Sequence, residues 1–213
     1  MARRDGPLPA PVPLVVQLPE VGGCENSLTI FEDPAGCGPG GALWDAAVVL
    51  AHHLHSLQLR GARVLELGAG TGLPGLAAAR LGAQVTLTDR PRALPLLRRN
   101  AEHNGLSVSV VELEWGCTPP EWSQAETPPF NLVLGADIVC HEESMAPLIA
   151  TLRQLLRGGG EALISNKCRD VAEHRFWEAA AAEFHVELLA EGLPAAPRDG
   201  DDLPVMLYRL WTK

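Results

Sequence analysis

Aromatic side chains are scarce in this chain: a single Tyr, four Phe and five Trp among 213 residues. The core must therefore be aliphatic. Basic residues are also in deficit, 17 Lys and Arg against 26 Asp and Glu, for a net charge of −9 at pH 7. A surface with that balance repels phosphate backbones, so no nucleic-acid partner is expected. The five cysteines, Cys24, Cys37, Cys117, Cys140 and Cys168, are odd in number and never form a C-x-x-C pair. That pattern excludes a disulfide frame and a zinc site and points to reduced thiols, with no metal expected. No apolar run approaches the roughly eighteen residues that cross a bilayer, so no membrane contact is expected. Arg3 and Arg4 stand near the start, but Pro7, Pro9, Pro11 and Pro13 interrupt the apolar run a secretory signal needs. The expected compartment is the cytoplasm, with the nucleus as the other reducing option.

Glycine and proline, by contrast, are abundant, at 21 and 18 residues. The length suits one domain that buries roughly 70% of its unfolded surface. Residues 1–13 are Pro-rich and read as a disordered arm. Residues 14–41 read as an N-terminal hairpin (Leu14–Leu18 with Ser27–Phe31) and a loop from Gly36 to Gly41, and residues 42–213 as the main domain. Within it, apolar spacing predicts a helix over 42–57. An alternation follows: strands at 63–67, 84–88, 108–113, 131–136 and 162–165, with helices at 73–81, 92–104, 143–156 and 171–183. A Pro-rich loop is expected over 116–129. Such alternation means βαβ units and a parallel sheet. The final strands, 185–189 and 205–211, have no helix between them and are expected to pair as an antiparallel hairpin, across a polar Pro/Gly loop.

The densest signal is Val64-Leu65-Glu66-Leu67-Gly68-Ala69-Gly70-Thr71-Gly72-Leu73-Pro74-Gly75, a buried strand running into a glycine turn and a helix. Glycine there lets the backbone approach a ligand that a Cβ would hold off. A dinucleotide fingerprint would need glycine at position 73, which is Leu. A Walker loop would need Gly-Lys-Ser/Thr, which is absent. Glu66, two residues before the first glycine, suits a ligand bearing an ammonium group. Asp89 ends the next strand, nineteen residues after Gly70, where a carboxylate can accept from both hydroxyls of a ribose.

Glu66 to Gly72 with Asp89 resembles the cofactor motif of class I S-adenosyl-L-methionine-dependent methyltransferases. Trp44-Asp45-Ala46-Ala47, Leu113-Glu114-Trp115-Gly116 and Gly135-Ala136-Asp137-Ile138 narrow the likeness to the seven-strand, METTL21-like protein-lysine methyltransferases. The resemblance implies a Rossmann-like, seven-stranded, mostly parallel sheet with helices on both faces. It implies that Glu66, Gly68 and Gly70 border the methionine part of S-adenosyl-L-methionine and that Asp89 holds the ribose. It also implies Trp115 beside the adenine, Trp44 lining the pocket, and Ala136 touching the cofactor through its backbone.

The same resemblance places an acid, two spacers and an aromatic at the acceptor mouth. Here the tetrad is Asp137-Ile138-Val139-Cys140, with a thiol in place of the ring. Asp137 is the expected acceptor-positioning residue. The expected substrate is a lysine of a protein and the expected state a monomer. A small-molecule methyltransferase, or a cofactor-binding protein without catalysis, are the other readings. Two further patterns carry less. Thr127-Pro128-Pro129-Phe130 looks like the Asn-Pro-Pro-aromatic motif of amide and adenine methyltransferases, yet it precedes the strand that motif should follow. His52, His53 and His55 suggest metal, but no Asp, Glu or Cys stands nearby at ligand spacing.

Overall fold

The computed structural model describes residues 13–123, 129–167, 169, 171–192 and 203–213. The elements run β1 (Pro13–Val21), β2 (Cys24–Phe31), α1 (Pro34–Cys37), α2 (Asp45–His53), β3 (Arg63–Leu67), α3 (Leu73–Arg80), β4 (Gln84–Asp89), α4 (Leu94–His103), β5 (Ser109–Glu112), α5 (Pro120–Ser123), β6 (Leu132–Ala136), α6 (Glu142–Leu156), β7 (Glu161–Lys167), α7 (Val171–Glu183), β8 (Phe184–Gly192) and β9 (Val205–Thr212). β1 and β2 form a separate antiparallel pair. The other seven strands form one sheet in the order β5-β4-β3-β6-β7-β9-β8. Pairing is parallel from β5 through β7, while β9 is antiparallel to both of its neighbours. The expected α/β sheet and its closing hairpin are therefore present.

Side-chain parity sorts the core into two faces. On β3, Val64 joins Leu73, Leu76, Leu97 and the hairpin's Leu28 and Ile30. Leu65 and Leu67 point the other way, toward Leu148, Leu152 and Phe176 of α6 and α7. Strands buried on both faces read as continuous apolar runs, which is what parallel sheets require.

Several boundaries differ from the sequence reading. The helix expected over 42–57 starts at Asp45, because Trp44 is extended (φ −91°, ψ 151°), and gives way to a 3-10 turn at Leu54–Ser56. The expected loop at 36–41 is wound instead: Asp33 caps α1 by accepting from Gly36 N–H, and a 3-10 turn covers Gly38–Gly41. The Pro-rich stretch after Gly116 contains the short α5, while 124–128, and with them Thr127 and Pro128, lie outside the described residues. The hairpin strands are longer than expected. Their two-residue turn is Gly22-Gly23, both at positive φ (61° and 76°), which suits a tight hairpin. Pro13 opens β1; the rest of the expected arm, 1–12, and the loop at 193–202 lie outside the described residues.

Two asparagines of α4 dock the hairpin. Asn100 Oδ1 accepts from Phe31 N–H (2.9 Å), and its Nδ2 donates to Phe31 O (3.1 Å) and Thr71 O (2.9 Å). One turn on, Asn104 exchanges the same pair of bonds with Thr29. The free edge of β2 is thus satisfied by side chains that imitate a strand. His52 and His55 hold the hairpin from α2 and the turn after it: His52 Nε2 bonds Gln17 O (2.9 Å) and His55 Nε2 lies 2.9 Å from Asn26 Nδ2.

Candidate active site

The chain places β3 first, adds β4 and β5 to one side, and then returns to lay β6 on the other. A crevice opens at the carboxyl ends of strands where the winding direction switches. Glu66, Gly68, Gly70, Asp89, Ala136 and Asp137 all lie at or just beyond those ends. The register holds them level, with Leu67 opposite Gly135 and Ala136 opposite Ser165.

Gly68 and Gly70 both sit at φ 56° and Gly72 at 82°, so the turn needs residues without a Cβ penalty. A Cβ on Gly70 would stand 2.6 Å from the carbonyl oxygen of Gly40, so the wound 38–41 segment lies directly against the glycine turn. Nothing in the local pattern at 36–41 announced that neighbour. Asp89 closes the turn from the adjacent strand: Oδ2 accepts from Gly70 N–H (2.8 Å) and Oδ1 from Arg90 N–H (2.7 Å). Burial pushes its pKa up, against the pull of those two N–H groups and of the Arg90 and Arg92 charges.

Trp115 reaches back over the same turn, and its ring, together with Ile138, is what a Cβ on Gly68 would meet, at 3.1 and 3.2 Å. Its loop is pinned from α6, where Gly116 N–H donates to Thr151 Oγ (2.8 Å) and that hydroxyl donates to Pro147 O (3.0 Å). Pro147 lacks the N–H for its own helical bond, yet its carbonyl is used.

Glu66, expected to border the methionine part of the cofactor, packs toward α3. It shares the face of Val64, is 1% exposed, and its Oε2 accepts from Gly75 N–H in the first turn of α3 (2.8 Å). Burial pushes its pKa up to about 8, with the Gly75 N–H opposing and the Asp89 charge reinforcing. Gly75 lets α3 sit this close to the sheet, because a Cβ there would come within 2.3 Å of Leu87 and 2.6 Å of Glu66 Oε2.

Just beyond β6, Asp137 is the one non-glycine at positive φ (55°) among the described residues. Its N–H donates to Ser165 O (2.8 Å), and its carboxylate is bidentate with Arg169, 2.8 Å to each oxygen. Such backbone outliers concentrate at functional sites. Cys140 at the tetrad's end is an exposed free thiol. Trp44, half-buried at the start of α2, donates its indole N–H to Pro39 O (3.0 Å) and lies under the Arg169 guanidinium, 5.6 Å away. The next residue, Asp45, forms an ion pair with Lys167 at 2.9 Å, both side chains fully buried. Sequence reasoning missed Arg169, Lys167, Asn166 and Thr151, since each acts through a partner distant in the chain.

A sequence profile of the lysine methyltransferase family matches residues 24–183. Protein N-lysine methyltransferase METTL21A of Danio rerio is 39% identical over 169 residues, 76% of this chain and 76% of the relative. EEF1A lysine methyltransferase 3 of Mus musculus is 36% identical over 196 residues, 87% of this chain and 78% of the relative. Among solved structures, a TehB-like SAM-dependent methyltransferase from Corynebacterium glutamicum shares the fold, with TM-score 0.57 and 18% identity over 82% of this chain and 90% of that one. This chain belongs to the lysine methyltransferase family, on the class I fold that takes its methyl group from S-adenosyl-L-methionine.

Proposed function

We propose that this protein methylates the side-chain amine of a lysine on a protein substrate, acting as a monomer in the cytoplasm or nucleus. The observation that carries the reading is the convergence of Asp89, Gly68, Gly70, Trp115, Trp44 and Asp137 around the switch-point crevice. The turn, which lacks a Cβ at Gly68, Gly70 and Gly72 and is closed by a carboxylate, fits a nucleoside-bearing cofactor. Asp89 holds the ribose, Trp115 flanks the adenine, and Gly68, Gly70 and the backbone of Ala136 border the methionine part. Glu66 acts there through α3, whose first turn it holds. Trp44 lines the pocket beside Asp137's partner Arg169. S-adenosyl-L-methionine supplies an electrophilic methyl group on a sulfonium centre.

The chain's own residues position the acceptor, which supplies much of the rate in an in-line displacement. The amine must be neutral to react, while free lysine has a pKa near 10.4. Asp137 binds the incoming ammonium and orients it. Its charge raises the lysine pKa, so the proton leaves through desolvation and water, with Asp137 as a positioning group. Calorimetry with S-adenosylhomocysteine tests the pocket, and no binding at high micromolar concentration overturns the cofactor roles. An Asp137→Asn variant that keeps wild-type turnover and intact cofactor binding removes Asp137 from the mechanism.

A further inference from the structure

The Asp137 carboxylate already holds a cation. Arg169 donates Nη1–H to Oδ1 and Nη2–H to Oδ2, each at 2.8 Å. The Asp137 side chain is 5% exposed and that of Arg169 32%, so the guanidinium stands between the carboxylate and solvent. It also lies over the Trp44 ring, 5.6 Å from the centroid. An ammonium approaching Asp137 from solvent therefore meets Arg169 first.

Asp137 does not depend on that partner for its position. Its N–H is fixed to Ser165 O (2.8 Å) and its Oδ1 lies 3.4 Å from Lys167 N. The next turn of the tetrad is clamped by Asn166, whose Oδ1 accepts from Val139 N–H (3.2 Å) and whose Nδ2 donates to Val139 O (3.3 Å). Glu173 holds Asn166 at 2.6 Å and also accepts the Arg169 backbone N–H at 3.0 Å. The backbone of Arg169 is thus anchored while its side chain reaches across to the carboxylate. Arg169–Asp137 contrasts with the fully buried Lys167–Asp45 pair a few ångströms of chain away. A buried pair is costly to break, because a stranded charge remains. With a third of its side chain exposed, Arg169 can swing into solvent without stranding its own charge, while the buried Asp137 carboxylate then needs another cation in its place.

We infer that Arg169 is a specificity-determining residue, whose guanidinium occupies the acceptor-positioning carboxylate until a substrate lysine exchanges with it. The inference rests on Asp137 being that positioning group. Two cations cannot share one carboxylate in a half-buried cleft without mutual repulsion. A free amine brings nothing to offset the displacement of Arg169. A lysine delivered on a protein surface brings the binding free energy of the surrounding contacts, so the exchange selects protein-borne lysine over small amines.

The test uses n-butylammonium as the probe on full-length protein saturated with S-adenosylhomocysteine. The reporter is the Trp44 indole N–H resonance, assigned with a Trp44→Phe variant. Arg169→Gln is expected to lower the apparent Kd for butylammonium about five-fold or more, and Arg169→Lys to leave it near wild type. Equal or weaker binding by Arg169→Gln overturns the inference, as does tightening by Arg169→Lys of the same size. The double variant Arg169→Gln/Asp137→Asn separates the two premises. Loss of the gain assigns the freed site to Asp137; a gain that persists refutes Asp137 as the acceptor group, whatever Arg169 does. Melting curves confirm that each variant is folded.

Discussion

Asp89 Oδ2 accepts the backbone N–H of Gly70 at 2.8 Å, so the acid ending β4 closes the glycine turn that leaves β3. One carboxylate thereby shapes the loop, its other oxygen accepting from Arg90 N–H. Asp89→Ala is expected to weaken S-adenosylhomocysteine binding by at least about ten-fold in calorimetry, because it removes the turn's anchor together with the ribose acceptor proposed for it. Asp89→Asn keeps an oxygen for Gly70 and should retain the wild-type melting temperature more closely while still losing affinity.

Glu66 makes stability depend on pH in an unusual direction. Its pKa lies near 8 in the folded chain against an ordinary value of 4.5. Between those values the folded form holds a proton that the unfolded chain has released, so the contribution is fully present below about 4.5 and is lost as pH rises through about 8. Glu66→Gln retains an oxygen for Gly75 N–H and removes the titration. Melting temperatures recorded from pH 5 to 9 should therefore fall less steeply with rising pH in the variant than in wild type. Parallel curves would contradict the burial assigned to this carboxyl.

Gly75 and Gly105 separate packing from backbone conformation. A Cβ on Gly75 would collide with Leu87 and Glu66, whereas Gly105, at φ 63°, has nothing within 4 Å. Gly75→Ala is expected to cost about 2–3 kcal/mol in denaturant unfolding and to weaken cofactor binding by shifting α3. Gly105→Ala should cost only about 1 kcal/mol, from its left-handed backbone, and leave binding unchanged.

The Asp45–Lys167 pair is scaffold. Removing one partner strands a buried charge, so Lys167→Met is expected to destabilise by about 3–5 kcal/mol. The double variant Asp45→Asn/Lys167→Met should recover part of that loss, measured as a coupling between the sites.

What the sequence made legible were features written locally. Arg63–Leu67 is largely apolar, three glycines alternate with Ala69 and Thr71 after it, and Asp89 closes the next strand, so the sheet and the glycine turn could be placed from spacing, and the cofactor from the motif's likeness to a family. Period-two parity also puts Glu66 on the side of Val64, facing α3, which its position beside the glycines obscured. Polar partners distant in the chain leave no such trace. Asn100 meets Phe31 across 69 residues and Asn104 meets Thr29 across 75, and neither asparagine stands out within its helix. Arg169 follows a strand that apolar patterning ends at Ser165 and that in the structure runs two residues further, to Lys167. Its meeting with Asp137 depends on β6 and β7 lying side by side, a fact of topology that no single segment carries.

The most direct test of methyl transfer to a protein-borne lysine is incubation of the purified protein with cell lysate and S-adenosyl-L-methionine labelled in its methyl group, followed by electrophoresis and acid hydrolysis of the labelled material. The account predicts a discrete labelled protein band that yields methylated lysine and disappears with Asp89→Ala. Label confined to small molecules, label recovered on another amino acid, or no label with an enzyme that binds S-adenosylhomocysteine would contradict it.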